Sequence, residues 1–448
     1  MPSYKLNFNQ DFTSIVVSGS TGYRLFGLSS VEKVEEINCK GNENIPDIRI
    51  VERLFNSSLV VMVTESKPNC LKILNFRKKE DTRNICDCVY ATSIRSVRMN
   101  RFRLVVCLEE SIYIHDIRDM KVIHFLENLP SNELGLCSLS WNSHLAYPIS
   151  FSSGELQIFN AEKLTPGLTI AAHETPFSAM NFSPNGVLIA TASERGTVIR
   201  VFCVKNGQRV HEFRRGVKRC VRIASLVFSQ NGDYICTSSN TETVHIFKID
   251  SKAVEIAERR SVADKCDVGA SSLEDINASQ IQSDASWSGY FAKAVTSYLP
   301  SQMYDVFSQD RAFATAQLSQ PGLKHVCALA KIQKETKLLV ACEDGFLYIY
   351  DFNDTKGGNC RLIRAHDLRN PLEDVIDIKD CGDKAPRHVI VVDGPFSPDT
   401  SYAGVLKGKQ GNKMTESDKC RSISEALETP TKTIFDERQF PPVAPVRE

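Results

Sequence analysis

Short apolar runs occur in pairs along this chain, and the pairs recur at a nearly constant interval. The first run of each pair is rich in β-branched residues. Examples are Ser14-Ile15-Val16-Val17-Ser18, Leu59-Val60-Val61-Met62-Val63, Arg103-Leu104-Val105-Val106-Cys107, Leu188-Ile189-Ala190-Thr191-Ala192, Tyr234-Ile235-Cys236-Thr237 and Leu338-Leu339-Val340-Ala341-Cys342. The second run follows a polar or Gly-containing turn and alternates with aromatic residues. These runs are Tyr23-Arg24-Leu25-Phe26, Leu71-Lys72-Ile73-Leu74-Asn75-Phe76, Ile112-Tyr113-Ile114-His115, Val198-Ile199-Arg200-Val201-Phe202, Val244-His245-Ile246-Phe247 and Leu347-Tyr348-Ile349-Tyr350. Leu145-Ala146-Tyr147 with Leu156-Gln157-Ile158-Phe159 adds one more pair, making seven. Successive second runs lie roughly 40–50 residues apart, apart from one interval near 100, and such a period marks a β-propeller blade.

The chain of 448 residues is long for one compact domain, but it suits one large repetitive one. The expected fold is all-β: a seven-bladed β-propeller of divergent WD40 type. Asn185-Gly186 and Asn231-Gly232 fall between the first two strands of two units, where hairpin turns belong. The Trp-Asp ending of WD repeats is missing, leaving echoes such as His115-Asp116-Ile117 and Tyr350-Asp351-Phe352. A β-sandwich is the competing fold, but it does not explain seven units at this period. The propeller is expected over 1–369, with 250–309 inserted as a long blade-six loop. Beyond it, 370–448 is expected to be a disordered tail, since it holds 8 of the 18 prolines and no further repeat. The N-terminal Tyr4-Lys5-Leu6-Asn7-Phe8 is either an ordinary first strand or the closing strand of the last blade.

Several function classes are disfavoured. Lys plus Arg number 54, as do Asp plus Glu, so any anion site must be a local patch. A nucleic-acid role is disfavoured because no aromatic stacking platform accompanies the short basic stretch. No Gly-x-Ser-x-Gly elbow, phosphate-cradling loop or His-Glu-x-x-His stands in the sequence, so an enzyme is not expected. The 15 Cys residues include no Cys-x-x-Cys pair, and they read as reduced core residues rather than zinc ligands. No cofactor or metal is expected. No apolar run is long enough to span a bilayer, and the N-terminus lacks an apolar signal core, so the chain is expected to be cytoplasmic.

Charge is concentrated between Arg195 and Arg222, where nine basic residues face one acid, Glu212. At the centre lies Phe213-Arg214-Arg215-Gly216. Adjacent strand residues point to opposite faces, so Arg214 and Arg215 are expected to serve two different sites. Guanidinium forks suit phosphate, and Gly216 is expected to allow a turn. Small donors flank both sides: His173, Ser193, Gly196, Thr197 and Arg200 on one, and Ser238, Ser239, Asn240, Thr241, Thr243 and His245 on the other. On charge alone, a solvated basic edge reads equally well. In the insertion, Trp287, Phe291, Val295, Tyr298 and Leu299 stand at helical spacing, with Tyr290 beside them. Such an aromatic segment either inserts into a membrane boundary or packs on the propeller as a small satellite core.

These segments together resemble the PROPPINs, seven-bladed propellers that bind phosphoinositides, and in particular their WIPI-type autophagy members. The resemblance covers roughly residues 5–366 and is carried most specifically by Phe213-Arg214-Arg215-Gly216. It is supported by the runs from Ala192 to Phe202 and from Ser238 to Phe247, and by Asp310-Arg311-Ala312-Phe313-Ala314-Thr315-Ala316. It implies two headgroup sites on one rim, for phosphatidylinositol 3-phosphate and phosphatidylinositol 3,5-bisphosphate. Arg214 would join His173, Ser193, Thr197 and Arg200; Arg215 would join Ser239, Thr243 and His245. Thr191 stands where some relatives have Ser. The insertion would be the membrane-inserting loop. The resemblance also implies a basic partner surface on blades two and three, matched here by Arg101, Arg118 and Lys121, for the scaffold protein of the autophagy conjugation complex. Recruitment to phagophore (preautophagosomal) and endosomal membranes as a peripheral membrane protein would follow. The alternative is a protein-only WD-repeat scaffold without direct lipid recognition.

Overall fold

The structure is a computed structural model that describes residues 4–19, 22–41, 48–79, 83–216, 220–259, 312–318, 322–369 and 415–428. Among these, 28 strands fall into seven consecutive groups of four. Blade one runs from β1 (Lys5–Phe8) to β4 (Glu35–Gly41), blade two from β5 (Ile48–Arg53) to β8 (Asn84–Val89), and blade three from β9 (Ser96–Met99) to β12 (Val122–Leu126). Blade four spans β13 (Ser138–Leu139) to β16 (Thr165–His173), and blade five β17 (Phe177–Phe182) to β20 (Arg209–Arg214). Blade six spans β21 (Ile223–Phe228) to β24 (Ala314–Gln317), and blade seven β25 (His325–Ile332) to β28 (Gly358–Asp367). Strands within each blade pair antiparallel in chain order. The edges of blades six and seven also meet, with β24 parallel to β28.

The ring closes through the innermost strands. β1 touches β5, β5 touches β9, and so on around to β25, which touches β1. β1 is therefore an ordinary first strand, paired with β2 (Ser14–Gly19), and not a borrowed strand of the last blade. The seam is tied by the Tyr4 amide donating to the Glu343 carbonyl at 2.9 Å.

Burial explains why the repeat was visible in sequence. Seven apolar clusters fill the gaps between neighbouring blades. A second strand is covered on both faces, so it needs a continuous apolar run; β6 (Leu59–Thr64), β18 (Leu188–Ser193) and β22 (Tyr234–Ser239) are buried throughout. Third strands alternate, as β23 (Thr243–Lys248) does, and a fourth strand, β12, has no fully buried residue. Gly186 and Gly232 adopt φ of 68° and 80°, as their hairpin turns require.

Two segments differ from the sequence expectation. The insertion does leave blade six between β23 and β24, but it begins as a helix, α1 (Ser251–Arg259), rather than as irregular loop. The region expected to be a disordered tail contains a second helix, α2 (Glu416–Leu427), whose Ile423 and Ala426 are fully buried against blades two and three. Its apolar face is short, so periodicity alone did not reveal it. The aromatic residues of the insertion, Trp287, Tyr290, Phe291, Val295, Tyr298 and Leu299, lie outside the described residues.

The blade-one to blade-seven gap contains fully buried Leu339 beside Ile15 and Phe26. Leu339→Ala is expected to cost about 2–5 kcal/mol in urea unfolding, through lost burial and a cavity. Val122→Ala, on an exposed edge strand, should shift stability by no more than about 0.5 kcal/mol.

Candidate anion-binding rim

Antiparallel order puts the turns between strands two and three, and the connections to the next blade, at one end of every sheet. The other turns lie at the opposite end. Ser193, Gly196 and Thr197 belong to the first set, in the turn between β18 and β19 (Val198–Cys203). Ser239, Thr241 and Thr243 are their counterparts between β22 and β23, and Arg214 and Arg215 sit at the exit of β20. The topology thus gathers these residues at one end of blades five and six.

The backbone of each arginine is held by blade five. Arg214 is opposite Val198 in the register of β19 and β20, on the blade-five side. The Arg215 amide donates to the Thr197 carbonyl at 3.0 Å, and its guanidinium reaches across to the Thr241 hydroxyl of blade six. Thr241 in turn shares a 2.9 Å hydrogen bond with Ser239. The backbone is held by one blade while the side chain belongs to the next.

Each side also pairs an arginine with a histidine. His173, at the end of β16, shares a 2.9 Å hydrogen bond between Nε2 and Thr191 Oγ1. Burial, reinforced by Arg200, lowers its pKa to about 4. His245 lies opposite Thr237, and its pKa is lowered to about 4 by burial and then by Arg215. Register makes the two sides comparable: Arg200 faces Thr191 in blade five where His245 faces Thr237 in blade six. Both imidazoles are therefore neutral at pH 7; because the Thr191 hydroxyl donates to the Arg200 carbonyl, the one N–H of His173 is directed at Thr191.

The basic stretch is less uniform than its count implied. Arg200 donates from Nε to Glu212 at 2.8 Å and from Nη1 to the Ala172 carbonyl at 2.7 Å. Arg209 binds the same Glu212 oxygen at 2.7 Å. Glu212, counted in the sequence as a lone negative charge, is thus a shared anchor that fixes the Arg200 guanidinium. Lys205 lies in the turn at the opposite end and donates to the Glu258 carbonyl of α1 at 3.1 Å. Lys218 and Arg219 are outside the described residues.

The glycine that matters also differs. Gly216 has open space where a Cβ would go, and its φ is not positive. Gly196 adopts φ of 61°, and a Cβ there would collide with the Val221 carbonyl oxygen. The tight turn beside Thr197 thus depends on Gly196, while the turn expected of Gly216 requires no glycine.

The partner-surface candidates lie elsewhere, all three on blade three. Arg101 stacks over the Phe55 ring at 5.1 Å, and Arg118 grips Asp116 from Nε and Nη2 at 3.1 and 2.9 Å. Lys121 lies 3.6 Å from Asp119 and 3.7 Å from Glu416 of α2. Lys78 of blade two, which sequence reasoning missed, pairs with Glu425 of α2.

The fold is thus a closed propeller whose rim on blades five and six carries hydroxyl, imidazole and guanidinium groups. The PROPPIN family model matches residues 4–264 and 261–369, and this chain belongs to that family. It is 47% identical over 368 residues to human (Homo sapiens) WD repeat domain phosphoinositide-interacting protein 1, covering 81% of this chain and 76% of the relative. It is 36% identical to Autophagy-related protein 18 of Caenorhabditis elegans, over 81% of this chain and 85% of the relative. Among solved structures, one described as the complex of KlAtg21 with coiled-coil of AgAtg16 is similar in fold, with a TM-score of 0.60 at 24% identity, covering 82% of this chain and 100% of that one.

Two predictions follow from this geometry. Gly196→Ala should cost at least about 1–2 kcal/mol from left-handed strain alone, whereas Gly216→Ala should stay within about 0.5 kcal/mol, read by thermal unfolding. For His173 and His245 the folded pKa lies below the unfolded value. Between pH 6.5 and about 4 the unfolded chain takes up protons that the folded chain refuses, so stability falls as pH falls through that window. Replacing both with Gln should reduce the slope of unfolding free energy against pH there by about two protons, measured by urea titrations at several pH values.

Proposed function

We propose that this protein binds phosphatidylinositol 3-phosphate and phosphatidylinositol 3,5-bisphosphate through two rim sites, and recruits autophagy machinery to the forming autophagosome. The observation that supports this reading is the Arg215 guanidinium, which leaves blade five to bond Thr241 of blade six, one residue from Arg214 on the edge strand of blade five. On the first side stand His173, Ser193, Thr197, Arg200 and Arg214, and on the second Ser239, Thr243, His245 and Arg215. A phosphomonoester offers several acceptor oxygens, which suits convergent hydroxyl, N–H and guanidinium donors. The relatives' names, phosphoinositide-interacting and autophagy-related, support the same reading.

Each basic group near an anionic leaflet contributes on the order of 1 kcal/mol, so one pocket alone would hold weakly. Two pockets on one rigid ring act together through effective concentration. Trp287, Tyr290, Phe291, Val295, Tyr298 and Leu299 would add apolar burial at the headgroup boundary. The surface with Arg101, Arg118 and Lys121 would hold the conjugation-complex scaffold, and recruitment would bring the chain to phagophore and endosomal membranes. The role is binding, not turnover.

Co-sedimentation with liposomes containing phosphatidylinositol 3-phosphate tests the reading. Arg214→Thr and Arg215→Thr should each weaken binding roughly tenfold or more, and the double variant should lose it, with thermal unfolding unchanged. Lys205→Thr, at the other end of the sheets, should bind as wild type does. A double variant that still binds fully would sink the two-site reading in favour of a protein-only scaffold.

A further inference from the structure

α2 sits on blades two and three as a ligand would. Its N-cap, Thr415, accepts from the Asp418 amide at 3.2 Å, and Glu416 and Asp418 place acid in the first turn. Ile423 and Ala426, one turn apart, enter the apolar gap between blades two and three beside Ile117 and Met120. At the far end, the Ser58 amide and hydroxyl donate to the Ala426 carbonyl at 3.0 and 3.2 Å, satisfying a helix-end acceptor that water would otherwise take. Two carboxylates face two lysines on the propeller: Glu416 with Lys121, and Glu425 with Lys78.

A cleft of about 400 Å³ lies open to solvent between the helix and the blade-three turn, lined by Asp116, Arg118, Asp119, Cys420, Ser424 and Leu427, so water reaches this side of the helix. A helix of 12 residues is also marginal in water by itself, so α2 is ordered by its seat. It is joined to the last strand through residues 370–414, so it stays near the groove even when it leaves.

We propose that α2 is an exchangeable occupant of this groove: it closes the groove in cis, and an acidic amphipathic helix in trans takes the same seat when α2 departs. The competing helix carries carboxylates toward Lys78 and Lys121 and a small apolar pair one turn apart. That the incoming helix belongs to a recruited autophagy protein rests on the partner reading above; the exchange itself does not. The tail would then set how readily the propeller accepts that partner.

The probe is a fluorescent peptide of residues 411–432 of this chain, titrated by anisotropy into full-length protein. Full-length Ile423→Glu/Ala426→Glu should bind it at least tenfold more tightly than wild type, because its own helix no longer competes. Equal affinities, or no binding to a variant that remains folded by circular dichroism, would overturn the proposal. Hydrogen exchange on the wild-type chain reads the same release without mutation. The Ser58 amide should exchange far faster than the buried amide of Val61; if both exchange only with global unfolding, α2 is a fixed part of the fold and the proposal fails. Because the probe is the chain's own helix, neither result depends on the partner. Scaffold binding retained by Arg118→Glu/Lys121→Glu would overturn the partner reading separately.

Discussion

Everything in this molecule depends on face-to-face burial between neighbouring sheets. No single blade has a core; each apolar cluster is built from two blades, and the seventh exists only when blade seven meets blade one. Ring closure therefore covers the outer faces of blades one and seven, and it holds the strand ends in a fixed relation to one another. That rigidity lets a backbone amide on Arg215 bond blade five while its guanidinium bonds blade six. A flexible linker at the same place would lose this arrangement to conformational entropy.

Legibility followed the same physics. Second strands covered on both faces must be apolar throughout, so β6, β18 and β22 were visible as unbroken runs. The run of basic residues around Arg214 and Arg215 was visible because it is contiguous in the chain. What was hidden depended on contacts distant in sequence. Glu212 becomes an anchor only when the register sets it beside Arg200 and Arg209. Gly196 outranks Gly216 only because Val221 passes close to it. α2 has two fully buried residues, and these acquire meaning from a groove formed some three hundred residues earlier in the chain.

The rim is tuned by desolvation more than by net charge. Burial holds His173 and His245 neutral at pH 7, and arginines beside them push the same way. Positive charge beside each imidazole is thus left to the guanidinium groups, which do not titrate. Glu212 adds rigidity without emptying the site of charge, since its single negative charge is shared by Arg200 and Arg209, and the three together keep a net charge of +1.

Topology then constrains how the proposed membrane contact can be made. The arginine pair lies at one end of the blade-five and blade-six strands, while the insertion leaves blade six from the other end. Strands of six residues separate the two by only about 20 Å. A flat surface can meet both only along the outer edge of the ring, with the propeller standing on its rim. Going around the ring from the blade-five/six gap to the blade-two/three gap crosses blades three, four and five one way, and six, seven, one and two the other. The α2 groove therefore lies nearly opposite that edge. A molecule making the proposed membrane contact in this orientation would keep the groove open to solution, so the proposed membrane binding and helix exchange would not compete for space.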